Sequence, residues 1–201
     1  MSKTTIDFNF KDRYEYLKFY KPFGVLCQFT REQEGQTTLK EYLSVGRDIY
    51  PIGRLDKDSE GLLLLSNDPA YNAYILSPSN IKEKEYYIQV EGDINQEAIL
   101  KLQDGLKIKI KGKSFDVQAT RAHIMEKTPI LPDRNPPIRF RKNVSDSWAS
   151  ITLQEGKNRQ VRRMLAAVGF PVLRLVRVRI DNIYLTNLKV GEFKYLLNKK
   201  D

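Results

Sequence analysis

The reactive side chains of this sequence are few in kind. One histidine, His123, and one cysteine, Cys27, leave carboxylates, lysines and tyrosines to carry any chemistry. A single cysteine excludes an intramolecular disulfide and a multi-cysteine zinc site, and a single histidine fits poorly with a His-rich metal site or a Ser-His-Asp arrangement. The densest constellation is Tyr50-Pro51-Ile52-Gly53-Arg54-Leu55-Asp56-Lys57-Asp58-Ser59-Glu60-Gly61-Leu62, with five charged residues and two glycines directly ahead of the apolar run Leu62 to Leu65. Charged residues at the mouth of a buried strand stand on a rigid support, and glycines permit tight turns or close backbone approach. Asp56 in that setting is a candidate nucleophile. The same residues also describe a charged hairpin loop whose Asp and Arg satisfy one another, and taken alone they leave both readings open.

The elements that must position this segment follow from pattern. Leu17 to Tyr20 and Val25 to Phe29 read as short strands separated by the turn Lys21-Pro22-Phe23-Gly24. Thr38 caps a short helix through Leu43. Leu62 to Leu65 suits a strand buried on both faces. Asp68-Pro69 has the form of an N-cap with proline in the first helical position, for a helix to Leu76 that stops before Ser77-Pro78. Tyr86 to Val90 alternates like a strand. Asp93 and Gln96 resemble a capping box for a helix ending at Gly105. Leu106 to Ile110, Phe115 to Ile124, Trp148 to Leu153 and Val172 to Ile180 read as strands, and residues 127–147, rich in proline and basic residues, as a long ordered insertion. A helix from about Asn158 to Val168 carries Val161, Met164, Leu165 and Val168 at i, i+3, i+4, i+7, with Gly169 as C-cap glycine and Pro171 beyond. The sum is an α+β fold, a mixed and largely antiparallel β-sheet core flanked by helices. Residues 1–14 are expected to form a flexible tail, and 15–198 one generous domain or two small lobes.

Charge is uneven along the chain. The net charge is +9, from 34 basic and 25 acidic residues, in 201. Arg134 to Arg179 holds eleven basic residues and only Asp146 and Glu155 as acids, while the remaining 23 basic and 23 acidic residues cancel. Nine of the 14 arginines lie in this stretch. The guanidinium fork suits phosphate, so the distribution favours a nucleic-acid partner over a merely solvated face. No apolar run approaches the roughly 18–20 residues a bilayer requires, no secretory layout opens the chain, and the cysteine count fits a cytoplasmic setting.

Three separated segments carry a family resemblance. Gly53-Arg54-Leu55-Asp56 with Ser59-Glu60-Gly61-Leu62-Leu63 resembles the catalytic motif of bacterial RNA pseudouridine synthases of the RsuA type. Lys84-Glu85-Tyr86 is similar to that family's Lys-x-Tyr strand motif. Glu155-Gly156-Lys157-Asn158-Arg159-Gln160-Val161-Arg162-Arg163-Met164, continued by Val168-Gly169-Phe170-Pro171, resembles its third motif. The strand Leu173 to Ile180 and the tail Leu185-x-x-Leu188-x-x-Gly191-Glu192-Phe193 fit as well, so the likeness runs from about Leu17 to Leu196. Arg134-Asn135-Pro136-Pro137-Ile138-Arg139 with Ser147-Trp148 looks like the insertion of the RluE-like branch, as does Val25-Leu26-Cys27-Gln28-Phe29.

The resemblance implies conversion of a uridine to pseudouridine in 23S ribosomal RNA, free or in a large-subunit assembly intermediate, without cofactor or metal, by a monomeric cytoplasmic protein that does not bind membranes. It implies no separate N-terminal RNA-binding domain, so the catalytic domain alone grips RNA. The reaction breaks the bond between uracil nitrogen and ribose, turns the base and rejoins it through carbon 5. It needs a carboxylate, a group to take the carbon 5 proton, and a place for an extruded base. By resemblance Asp56 is the nucleophile, Arg162 its basic partner, and Tyr86 the ring that stacks on the uracil and accepts the proton. Arg54 fills the gap left by the flipped uridine. Lys57, Lys157, Arg159, Arg163, Arg139 and Arg177 are expected substrate contacts, with Arg134, Arg141 and Lys142 as further phosphate ligands. Arg159 and Arg162 can share a helix face. Tyr87 points away from Tyr86 and is structural. His123 needs no role, and Cys27 is a buried small hydrophobe. Two rivals remain at this level. A non-catalytic RNA-binding factor would not need Asp56 with Arg54, Tyr86 and Arg162. A carboxylate-dependent nucleoside hydrolase would not need the arginine-rich stretch.

Overall fold

The computed structural model describes residues 8–77, 79–139 and 144–197. Arg141 and Lys142 lie outside them. The chain forms two compact units, one from Met1–Lys82 with Arg177–Asp201 and the other from Glu83–Val176. The architecture is α+β.

The first unit is built on β3 (Glu60–Ser66), in which all seven residues are buried. β1 (Tyr16–Lys21) pairs with it antiparallel from Tyr16 opposite Ser66 to Lys21 opposite Gly61, and β2 (Tyr50–Ile52) pairs antiparallel through Ile52 opposite Leu64. β11 (Phe193–Tyr195) extends the sheet beyond β1. The later part of β9 (Val172–Ile180) neighbours β3, and β10 (Ile183–Tyr184) folds back on it. Four fully buried leucines, Leu62 to Leu65, anchor β3. At roughly 1.5–3 kcal/mol per side chain, they make the strand a stiff base for the loop that precedes it. Helix α1 (Pro69–Leu76) has the predicted start and stop: Asp68 Oδ1 accepts from Ala70 N at 2.9 Å, and Asp68 Oδ2 accepts from the Tyr16 hydroxyl at 2.6 Å. Burial, then the bond to Asp68, pushes the Tyr16 hydroxyl up to about 12. Of the tail expected at 1–14, Phe8 and Phe10 are described and pack against Tyr16 and Tyr71, with ring centroids 4.6 Å (Phe10–Tyr16) and 4.9 Å (Phe8–Tyr71) apart.

Two expectations for this unit change. Thr38 does cap a helical turn, with its capping-box partner Glu41, but only a 3-10 turn at Leu39–Glu41. Val25 to Phe29 is not a strand; it makes one isolated bridge, Leu26 to Thr38. Its polar atoms serve a loop instead. Lys21 takes the Val25 carbonyl at 2.7 Å, and Cys27 Sγ accepts from Leu55 N at 3.3 Å.

In the second unit the early part of β9 neighbours β4 (Lys84–Glu91), which pairs antiparallel with β8 (Asp146–Leu153); β8 pairs with β7 (Arg121–Met125). β5 (Leu106–Ile110) and β6 (Lys113–Val117) form a separate antiparallel ribbon. The single strand expected at Phe115 to Ile124 is therefore two. Ala119 N is bonded to Leu102 O on α2 (Gln96–Asp104), and Gln118 donates to Gln103 O, so the chain leaves the ribbon there. Asn95, not Asp93, caps α2, accepting from Ala98 N at 2.9 Å; Asp93 accepts from Ser145. Helix α3 spans Gln160–Ala167 with Val161, Met164 and Leu165 buried, as their spacing predicts, and Gly169 follows it with φ 94°.

Candidate active site

The first unit carries the Asp56 loop. It joins β2 to β3, and its backbone is bound at nearly every residue. Gly53 O accepts from Arg177 Nη2 at 3.2 Å. Leu55 N donates to Cys27 Sγ, and Asp56 O accepts from Ser59 N at 3.1 Å. Lys57 O accepts from Gly24 N at 2.8 Å and from Lys21 Nζ at 3.4 Å. Leu55 and Ser59 are buried, whereas Arg54 and Lys57 are exposed and Asp56 is half-buried. The backbone is thus held while three charged side chains are presented. Gly53 adopts φ 62°, a left-handed conformation open to glycine at little cost. Gly61 has φ 102°, and a Cβ there would lie 2.3 Å from Arg177 O, so only glycine lets β3 approach that residue.

Lys21 is fully buried, with Nζ donating to Pro22 O at 2.8 Å as well as to Val25 O and Lys57 O. Burial lowers it to about 8 against the opposing pull of Cys27, Glu60, Asp58 and Asp56. Burial raises the Cys27 thiol, opposed first by the Leu55 N–H and then by Lys21, Arg177 and Arg54. Sequence reasoning gave Lys21 only to a turn and gave Cys27 no role. No local signal singled out Lys21: it is the last residue of a strand that also holds Lys18, and only the fold shows which of the two is buried and must find acceptors.

Arg177 is a correction. It was expected to contact substrate, but it is 3% exposed and its Nε donates to Leu62 O at 2.8 Å. Charge counting treats every arginine alike. A run such as Val172–Ile180, apolar enough to be buried on both faces, takes its arginines inside with it. Arg174 and Arg179 are buried too, with Arg174 Nη2 on Pro132 O at 2.8 Å and Arg179 Nη1 on Asp181 O at 2.7 Å.

The second unit carries the other candidates. Tyr86 lies on β4 opposite Ile151 and is 8% exposed, on the face shared with Ile88 and Val90, while Tyr87 alternates to the other side. The segment before α3 is organised by buried Gln160, which accepts from Lys157 N at 2.8 Å and donates to Glu155 Oε1 at 2.7 Å. Lys157 pairs with Glu155. Arg159 is exposed with φ 51° and ψ 33°, left-handed at a non-glycine residue. Arg162 and Arg163 are half-buried on α3. Arg162 Nη1 donates to Val172 O at 3.3 Å, and Arg163 Nη1 to Lys109 O at 2.8 Å. Arg139 is exposed, whereas half-buried Arg134 donates to Pro136 O and Pro137 O of its own loop at 2.8 and 3.0 Å, bracing it. His123 is exposed on β7. The structure therefore gathers Arg54, Asp56 and Lys57 on one loop and Lys157, Arg159, Arg162 and Arg163 around one helix start. A polar cavity of about 800 Å³ in this unit, bounded by Asp104, Lys107, Asp116 and Glu155, contains none of the candidate catalytic residues. Among the described residues no cluster of three His, Cys, Asp or Glu could hold a metal ion, and no helix is long and apolar enough to cross a membrane.

The profile of the RNA pseudouridylate synthase family matches residues 15–167. The chain is 42% identical over 176 residues to ribosomal large subunit pseudouridine synthase E of Vibrio parahaemolyticus, covering 88% of this chain and 71% of that one. It is 43% identical over 163 residues to the protein of the same name from Xanthomonas axonopodis pv. citri, covering 81% and 83%. A solved pseudouridylate synthase crystal structure shares the fold at TM-score 0.70 and 24% identity, over 92% of this chain and 70% of that one. Motifs that are individually weak, a bound loop presenting Asp56, and this breadth of similarity converge: the chain belongs to the RNA pseudouridylate synthase family.

Proposed function

We propose that this pseudouridine synthase isomerises a specific uridine of 23S ribosomal RNA, with Asp56 as nucleophile acting on a base flipped out of the RNA. The observation that carries this reading is the Gly53–Lys57 loop, whose backbone is fastened around a half-buried Asp56 flanked by exposed Arg54 and Lys57. The substrate follows from the relatives at 42–43% identity, each named for the large ribosomal subunit.

In this mechanism the Asp56 carboxylate forms a covalent or ion-paired intermediate at the ribose as the bond to uracil nitrogen breaks. By the family resemblance, Arg162 serves as the basic partner of Asp56. The freed uracil turns over Tyr86, whose ring gives stacking worth roughly 1–3 kcal/mol. Carbon 5 then bonds to the ribose as the ribose leaves Asp56, and the carbon 5 proton passes through the Tyr86 hydroxyl, which gives up its own proton as it takes one, to the uracil nitrogen freed in the first step. Arg54 occupies the gap in the RNA and offsets the few kcal/mol that extrusion costs. Lys57, Lys157, Arg159, Arg163 and Arg139 supply phosphate contacts, and the protein works as a cytoplasmic monomer.

Pseudouridine mapping of ribosomal RNA from cells lacking this protein tests the reading. One large-subunit pseudouridine should disappear and return with the parent gene but not with Asp56→Asn. An unchanged large-subunit map would overturn the substrate assignment.

A further inference from the structure

We propose that Arg177, Lys21 and Cys27 form a buried cradle that positions the Asp56 loop, so that Arg177 acts on the reaction through Gly53 and not on the RNA. The inference rests on the reading of Asp56 as nucleophile. Three side chains distant in sequence each hold one backbone atom of a five-residue stretch. Arg177 takes the Gly53 carbonyl, Cys27 the Leu55 N–H, and Lys21 the Lys57 carbonyl. They bracket Asp56 on both sides and are themselves buried, at 3%, 8% and 0% exposure.

Arg177 is also fixed from behind. Its Nε holds Leu62 O, the first leucine of the buried strand, so one planar guanidinium ties the loop's entry to the strand at its exit. A lysine cannot span both carbonyls with one point donor as a fork does. The missing side chain at Gly61 is what admits the Arg177 backbone against β3. Lys21 and Arg177 donate to these neutral carbonyls, so their positive charge still acts electrostatically on the loop. The Coulombic influence of Asp56 on Lys21 is one side of that coupling. A displaced nucleophile is costly: about 1 Å of misplacement can lower a rate on the order of 100-fold.

The test compares the full-length parent protein with Arg177→Met, Arg177→Lys, Cys27→Ala and Asp56→Asn. Single-turnover pseudouridine formation at saturating RNA, RNA affinity across a salt series, and thermal melting are measured for each. For Arg177→Met the rate should drop by roughly 10- to 100-fold. Its affinity should stay within about twofold of the parent with the same salt slope, and Arg177→Lys should recover part of the rate. Cys27→Ala should lower the rate by a smaller factor, again without loss of affinity, and it carries the test if Arg177→Met does not fold. Parental rates in Arg177→Lys and Cys27→Ala would overturn the cradle, as would an affinity loss with a salt slope reduced by about one, the mark of a phosphate contact. Asp56→Asn keeps the two readings apart. Activity surviving in it sinks the nucleophile assignment, whereas an inactive Asp56→Asn beside parental cradle variants sinks the cradle alone.

Discussion

Lys21 Nζ lies 3.4 Å from the carbonyl oxygen of Lys57, the residue after Asp56, and reaches it from a fully buried position at the end of β1. Burial holds Lys21 at about 8, below its ordinary 10.5, with Cys27, Asp56, Asp58 and Glu60 pulling the other way. The unfolded chain therefore keeps this proton to higher pH than the folded one. Between about pH 8 and 10.5 the group's contribution to stability rises, with a slope of up to about 1.4 kcal/mol per pH unit. The charged amine is nevertheless the form that holds three carbonyls. The single-turnover rate should accordingly fall as pH rises through about 8, while this group's linkage adds stability over the same window. Lys21→Arg should move that decline to higher pH. An alkaline limb unaltered by Lys21→Arg would show that another group controls it.

Asp68 serves two partners at once, as N-cap of α1 and acceptor of the Tyr16 hydroxyl. Loss of a cap costs about 0.5–2 kcal/mol, and a buried hydroxyl losing its acceptor about 1–3 kcal/mol. Asp68→Ala should destabilise the protein by roughly 2–4 kcal/mol in denaturant unfolding, and Asp68→Asn by less. A loss below about 0.5 kcal/mol for Asp68→Ala would contradict this geometry.

Arg159 sits in a left-handed conformation that costs an L-residue roughly 1–2 kcal/mol, partly offset in a glycine replacement by added chain entropy. Arg159→Gly should raise stability by about 0.5–1 kcal/mol and weaken RNA binding. Arg159→Ala should weaken binding alike without the gain in stability. RNA affinity equal to the parent in both would remove Arg159 from the RNA-binding set.

Exposed Arg54, Lys57 and Arg139 are each expected to meet RNA. Replacing Lys57 or Arg139 by alanine should weaken binding and reduce the salt slope by about one per residue. Arg54→Ala should in addition lower the saturated single-turnover rate, because the gap left by the flipped base is no longer filled. Salt slopes identical to the parent in all three would place the RNA elsewhere.

Local rules were legible at several element ends and faces, though the cap of α2 falls on Asn95 and not on Asp93. Asp68-Pro69 starts α1, the serine after Leu76 ends it, four leucines make β3, and the 3.6-residue spacing of Val161, Met164 and Leu165 sets the buried side of α3. Asp56 and its charged neighbours stand out as candidates because their motif is contiguous. The cradle does not, because a side chain holding a distant carbonyl leaves no local pattern. Lys21 and Arg177 are 156 positions apart, yet both bind the same loop. Val25 to Phe29, with strand composition, is not a strand: its backbone bonds run to Thr37 and Leu39 and, from Gln28 N to Leu26 O, within the segment itself. The basic stretch from Arg134 to Arg179 overstated the positive surface, since Arg174, Arg177 and Arg179 are buried and Arg134 braces its own loop.

The central claim, that Asp56 is the nucleophile, meets its most direct test in the purified Asp56→Asn protein. Pseudouridine formed in a single turnover on large-subunit ribosomal RNA and RNA affinity at fixed salt are measured together. The account predicts affinity within about twofold of the parent and a rate lowered on the order of 10³-fold or more. Pseudouridine formation at a rate near the parent's would contradict it.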